Sequence, residues 1–377
     1  MNGISLWFVI FFQALIVSYL IFQLMELFVG RKEPKYTLFV ILFLSLFTGL
    51  SWVVSQLMAD VFTPIALLCA IIIISKESNQ KPNYLLYVIY TLSIGTHISH
   101  VLMFSGLLLL TFFIKNLFFQ AIDYKKVNFK ILSLLGLTVL TILSMGAPIA
   151  KSKHVFFMGA MVEHGIAKKF LDENCNNKPY QLCFYKDSFP EKAWQFVWNE
   201  SSPLYKIGGW KKSEKEFNEI IHETLTQPKY IILHIQESIK ATIQQMSLFA
   251  IGDGNGSFLE GTLLFERVSK YFPNDLSLYR MSKQNNSNIG FVDTFNPVYN
   301  FIIIISSCLL LFFFVQQKVY KNPKQTFICV LIILGVLINA WDCGTFANAI
   351  DRLGCKMMWL IPFAFFLIFT NKLKKQS

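Results

Sequence analysis

The sequence predicts an all-α polytopic membrane protein of about nine transmembrane helices, with a mostly helical extracytoplasmic segment inserted between spans six and seven. Three observations predict it. Of 377 residues 54% are hydrophobic and 38 are Phe, only 15% are charged, and the mean hydropathy is +0.48, a balance that a soluble globular domain does not show. Apolar runs recur at the length needed to cross about 30 Å of hydrocarbon. Between them, short loops alternate between strongly basic and nearly uncharged.

In order along the chain, the candidate spans are approximately 5–29, 37–58, 61–75, 84–96, 98–114, 131–150, 297–316, 326–342 and 357–371. The first has no cleavage-site pattern and exceeds the apolar region of a signal peptide, so it reads as a retained anchor. Three parts follow from this division: an N-terminal membrane bundle (1–150), the polar insert (151–296) and the C-terminal membrane helices (297–377).

Charge sets the expected orientation. Arg31, Lys32, Lys35, Lys76, Lys81, Lys115, Lys125, Lys126, Lys130, Lys318, Lys321, Lys324, Lys372, Lys374 and Lys375 fall in alternate connections, opposed only by Glu33, Glu77 and Asp123. By the positive-inside rule these loops face the cytoplasm, which puts the N-terminus outside and the C-terminus inside, in what would be a bacterial cytoplasmic membrane. The insert holds 17 Lys and Arg against 16 Asp and Glu. The net charge of +11 is therefore explained by topology, and nucleic acid is not expected as a partner.

Within the insert, "SEKEFNEIIHETL" (213–225) opens on a capping box, Ser213 with Glu216, and continues with an apolar face. "TQPKYIILHIQESIKATIQQMSLFA" (226–250) has Thr226 as N-cap, Pro228 in the first turn and an apolar stripe suited to the membrane surface. "HVFFMGAMVEHGIAKKFLDENC" (154–175) reads as one helix leaving the sixth span. "NNKPYQLCFYKDSFP" and "GDGNGS" read as turns, and the latter lacks the Lys-Ser/Thr ending of a phosphate loop. There is no C-x-x-C pair, which sets aside zinc ribbons. Cys175 and Cys183, together in a polar stretch, pair if that stretch faces an oxidising compartment.

Topology then gathers ionisable residues at the outer face. Asp60 starts the third span, His97 and His100 straddle the turn between the fourth and fifth in "GTHISHVLMF" (95–104), Asp342 ends the eighth, and Asp351, Arg352 and Lys356 precede the ninth. Charged groups at a helix centre cost about 2.5–3.5 kcal/mol each on insertion scales, so several at one depth point to a hydrated cavity. Each has a plainer reading as well: acids and Arg cap helix ends or reach for headgroups. His97 and His100, at i and i+3, are either part of a metal site or neutral imidazoles bonded between helices.

"SQLMADVFTP" (55–64), the "HISH" turn, "NAWDCGTFANAIDRLGCKMMWLIPF" (339–363) and the insert motifs "DENC", "YQLC" and "FVWNESSPLYKIGGW" together resemble a family of uncharacterised bacterial multi-span membrane proteins, over most of the chain. Ala59, Leu353 and Lys356 stand where that family usually has Pro, Tyr and Arg. More distantly the arrangement is similar to GT-C glycosyltransferases, which move a sugar from a polyprenyl-phosphate carrier at the extracytoplasmic face. Those enzymes typically begin with a cytoplasmic N-terminus, one span and an outer loop bearing the catalytic acid, whereas this chain opens at what corresponds to the second span. The resemblance implies Asp60 as general base, with Asp351 second, and carrier-phosphate binding by Arg352, Lys356, His97 and His100. It also implies an envelope acceptor selected by the insert, and positive charge or a divalent metal ion on the leaving phosphate. Two other classes fit the same composition: a lipid or polysaccharide flippase, which would show internal repeats and broken helices at mid-depth, and a non-catalytic subunit of an envelope assembly complex.

Overall fold

A computed structural model describes residues 3–29, 34–76, 82–118, 124–150, 153–254, 256–287, 289–316 and 323–373. Arg31, Lys32, Glu33, Glu77, Lys81, Asp123, Lys318, Lys321, Lys374 and Lys375, from which the loop charges were read, lie outside the described residues, as do the side chains of Lys125, Lys126 and Lys372. All regular structure among the described residues is helical.

The N-terminal part comprises α1 (Leu6–Val29), α2 (Pro34–Phe47), α3 (Leu50–Ser55), α4 (Phe62–Ser75) with a preceding 3₁₀ turn at Ala59–Val61, α5 (Tyr84–Gly95), α6 (Ile98–Phe118) and α7 (Tyr124–Ala150). The insert contains α8 (Lys153–Glu163), α9 (Ile166–Asn174), a 3₁₀ segment Gln181–Ser188, α10 (Ala193–Trp198), α11 (Pro203–Lys206), α12 (Gly209–Lys212), α13 (Glu214–Thr226), α14 (Pro228–Ser247), α15 (Leu263–Tyr271) and α16 (Leu276–Arg280). The chain closes with α17 (Phe291–Val315), α18 (Pro323–Phe346), α19 (Asp351–Met358) and α20 (Leu360–Leu373).

Among the described residues six stretches are long and apolar enough to cross a membrane: Leu6–Phe28, Ile98–Lys115, Val127–Ser144, Phe291–Val315, Pro323–Phe346 and Asp351–Phe369. The remaining three predicted spans correspond to the shorter apolar helices Pro34–Phe47, Ala59–Ser75 and Tyr84–Gly95. Their shortness has local causes. α2 stops where the Thr48 hydroxyl bonds to Leu44 O and Gly49 sits against Tyr299 and Cys355, so the predicted run 37–58 is split between α2 and α3. α4 is buried at every position from Thr63 to Ser75, because α1, α5, α7 and α18 all pack around it; its apolar composition reflects a core helix. The lipid-like exterior is carried elsewhere, by residues such as Phe11, Leu42, Leu143, Phe301, Ile304 and Leu311, all left exposed.

The insert has its own apolar core, centred on Phe170, Phe196, Phe217 and Tyr230, each fully buried. The single helix expected over 154–175 is two helices. Gly165 takes φ +69°, a conformation that ends α8, and the chain restarts as α9 at a new angle. The capping box is also not formed: Ser213 Oγ donates to Trp210 O, while the Glu216 carboxylate accepts the N–H groups of Gln181 and Leu182, so a longer-range pairing has displaced the local one. Thr226 belongs to the end of α13, and Gln227 stands at the N-cap of α14 with Pro228 at its first position. The predicted turn after α9 is largely a 3₁₀ helix, anchored by a disulfide between Cys175 and Cys183 with Cα atoms 5.9 Å apart. Farther along, Asp275 accepts bonds from Ser5 Oγ (2.9 Å) and Leu6 N at the start of α1, so the insert lies at the N-terminal end of that helix.

Candidate functional site

The 3₁₀ turn Ala59–Val61 delivers Asp60 to the N-terminal end of α4. Opposite it, Arg352 and Lys356 sit one helical turn apart on α19, the spacing that puts two side chains on one face. Arg352 Nε lies 3.4 Å from Asp60 Oδ2 and Lys356 Nζ lies 3.5 Å from Asp60 Oδ1. The side chain of Lys356 is only 5% exposed, against 33% for Arg352, so one cation is inside the protein and the other at its edge. A buried ammonium requires compensation, and besides Asp60 its electrostatic neighbours include the buried Asp342 and Cys343 at the end of α18.

These groups border a small, partly open cleft with about 10 Å³ of free volume, lined also by Trp52, Gln56, Ala250, Gly252, Asp253 and Cys355. A cavity needs about 10–15 Å³ of such space to hold one water. As it stands the cleft has room for about one water molecule, and a larger group enters only if the Arg352 side chain at its edge or the loop 250–254 gives way.

The loop that follows α14 forms one wall. Gly252 and Gly254 adopt φ +104° and +73°, which only glycine takes without strain, and the chain turns so that Gly254 rests against the Arg352 side chain. Between them Asp253 accepts the backbone N–H of Arg352 at 3.3 Å. Asp351 serves the same junction, its Oδ1 accepting Ala250 N–H at 2.8 Å. Gln245 brackets the start of α19 from the other side, donating to Ile350 O (2.9 Å) and accepting from Ile350 N (3.1 Å).

Of the six residues given a role from sequence, four come together and two take other positions. Asp60, Arg352 and Lys356 form the cluster, and His97 is near enough for all three to act on it electrostatically. The His97 ring contacts Ser99 Oγ at 2.8 Å, at the start of α6. His100 is buried and both its nitrogens are committed. Nδ1 lies 2.8 Å from Ser93 O, a pure acceptor, so Nδ1 donates; in the neutral ring Nε2 then accepts from Thr63 Oγ1 at 2.7 Å. His100 thus ties α4, α5 and α6 together and has no nitrogen left for a ligand. Asp351 is likewise occupied by Ala250 and does not line the cleft.

Among the described residues no three His, Cys, Asp or Glu side chains are placed to hold a metal ion, and the positive charge at the cleft is that of Arg352 and Lys356. Sequence reasoning gave no role to Asp342, Asp253, Trp52 or Gln56. The paired glycines of "GDGNGS" were the available signal for the loop, since alternating glycines mark backbone turned to fit close against something.

No protein family, curated protein or solved structure matches the chain.

Proposed function

We propose that the protein is a membrane-embedded, GT-C-like glycosyltransferase that moves a sugar from a polyprenyl-phosphate carrier to an envelope acceptor at the extracytoplasmic face. The observation that carries this reading is a carboxylate, Asp60, held between two cations, Arg352 and Lys356, in a cleft bordered by the membrane helices and the insert. In this reading nine helices span the bilayer, with the N-terminus outside, the insert extracytoplasmic and the C-terminus in the cytoplasm. Three features support that orientation: the basic loops, the Cys175–Cys183 disulfide, a bond that persists in oxidising compartments, and the contact that puts the insert at the N-terminal end of α1.

The chemistry needs few groups. The carrier phosphate parts the narrow cleft and takes over Arg352 and Lys356, Arg352 offering a fork that matches two phosphate oxygens. Asp60, released from its cations, is then free to take the proton from the acceptor hydroxyl. As the acceptor oxygen bonds to the anomeric carbon, the bond from that carbon to the phosphate oxygen breaks, and the electron pair leaves with the phosphate, stabilised by the two cations. His97 flanks the phosphate site.

The test is sugar transfer by purified protein from polyprenyl-phosphate donors. Asp60→Asn and Arg352→Ala should each lower transfer by two orders of magnitude or more, the scale expected for loss of a general base or of a charge aimed at the leaving group. If both variants transferred as well as wild type, the assignment would fail. Movement of the intact carrier lipid between leaflets, with no bond broken, would establish the flippase reading in its place.

A further inference from the structure

α14 carries an apolar surface left exposed among the described residues. Ile231, Ile235, Ile239 and Ile243 repeat every four residues, Ile232 stands beside them, and all five are exposed, Ile243 to 67%. A second face is packed, through Tyr230, Ala241 and Gln245. The third is polar: Lys240, whose side chain is 70% exposed, pairs with Glu237 at 2.6 Å, and Gln236 and Gln244 are exposed near it.

The packed face fixes the depth of the helix. Ser238 bonds to Trp341 Nε1 (3.0 Å) and Thr345 Oγ1 (2.8 Å), and Gly344 meets the backbone of Ala241 so closely that a methyl group there would lie 2.7 Å from its carbonyl oxygen. Lower down, Gln245 holds Ile350, and Leu248 O meets Gly354. The partners on α18 and α19 belong to two stretches that are long and apolar enough to cross a membrane, Pro323–Phe346 and Asp351–Phe369. A helix laid along the ends of two membrane spans shares their level.

We propose that α14 is seated in the membrane leaflet, with its isoleucine stripe against lipid acyl chains and the Glu237–Lys240 face toward the headgroups. The stripe continues the apolar exterior of the bundle, and the three-way division of the helix into packed, apolar and charged faces is that of an interfacial helix. The insert is then a partly embedded structure, and the loop 250–254 that walls the cleft is reached from within the leaflet. The inference rests on the membrane-protein reading and is independent of sugar transfer.

The test uses the purified full chain with Cys308→Ser, since Cys308 is the exposed free thiol among the described residues, Cys175 and Cys183 are bonded and the other cysteines are buried. Single substitutions Ile235→Cys, Ile239→Cys, Ile243→Cys and, for contrast, Lys240→Cys are spin-labelled in vesicles of phosphatidylethanolamine and phosphatidylglycerol, and accessibility to oxygen and to a water-soluble nickel chelate is measured. The expected result is an oxygen-to-nickel ratio several-fold higher at the three isoleucine positions than at Lys240. Nickel accessibility at those positions equal to that at Lys240 would show a stripe in water and overturn the proposal. Exclusion of both reagents also overturns it, and spin–spin broadening would then identify a second copy of the chain as the occupant.

Discussion

Lys356 Nζ lies 3.5 Å from Asp60 Oδ1, joining the turn that leads into the buried helix α4 to a cation on α19. Both side chains are largely buried, so the pair acts as a unit whose two halves cannot be removed independently.

Removal of one half is accordingly expected to destabilise the protein more than removal of both. Breaking a buried ion pair from one side costs roughly 3–5 kcal/mol. Because Asp342 remains beside Lys356, Asp60→Asn is expected near the lower end, about 3 kcal/mol. Asp60→Asn combined with Lys356→Met should recover most of that loss. Thermal unfolding in detergent across the double-mutant cycle measures it, and additive effects would contradict the pairing.

His100 and His97 should separate cleanly. His100→Ala leaves Thr63 and Ser93 O without their partner and is expected to lower stability by about 1–3 kcal/mol, with Thr63→Val non-additive to it. His97→Ala, at an exposed position, should stay within about 0.5 kcal/mol and, on the proposed function, weaken carrier-phosphate binding. Melting curves and a binding titration distinguish the two.

Glycine substitutions test the docking of α14. A methyl group at Gly354 would lie 2.0 Å from Leu248 O, and backbone cannot swing aside as a side chain can, so Gly354→Ala is expected to cost about 3 kcal/mol or to prevent folding. Gly106 has open space around it in the interior of α6, and Gly106→Ala should be neutral or stabilising by about 0.5–1 kcal/mol. The yield of monodisperse protein and its melting temperature report both.

A pH dependence is expected from the insert. Glu173 is held below its ordinary carboxylate range by hydrogen bonds from Lys229 Nζ and Tyr230 OH, and Asp172 by Lys186 and Lys168. Depressed carboxyl values contribute stability above the ordinary range, and that contribution is lost as pH falls through the depressed folded value. The melting temperature should therefore drop below about pH 4, near the unperturbed carboxyl value, and Glu173→Gln should be less stable than wild type at neutral pH yet show a smaller drop on acidification. An identical drop in the variant would show that Glu173 is not one of the responsible groups.

The apolar runs and the level shared by Asp60, Arg352 and Lys356 were legible because both follow from one-dimensional quantities, hydropathy and the order of crossings. The interruptions were not. Thr48–Gly49 and Gly165 stand in sequences that keep their helical period on both sides, and only the neighbours they meet in space explain the break. Ser213 and Glu216 satisfied a local rule that two distant N–H groups, those of Gln181 and Leu182, overrode. Beyond the cleft lining, Asp342 and Asp351 flank the same connection, and sequence favoured the second. Helix phase decided otherwise: Asp342 turns inward toward Lys356, while Asp351 closes onto Ala250. Asp253 was invisible because its partner, the N–H of Arg352, is supplied by another part of the chain.

The close approaches of Gly344 to Ala241 and of Gly354 to Leu248 fasten α14 at two heights. A slip of one helical turn, about 5.4 Å, would break both seats at once. α14 and α19 therefore form a lever: a load borne by the insert cannot be absorbed by sliding and is delivered to the helix that holds Arg352 and Lys356.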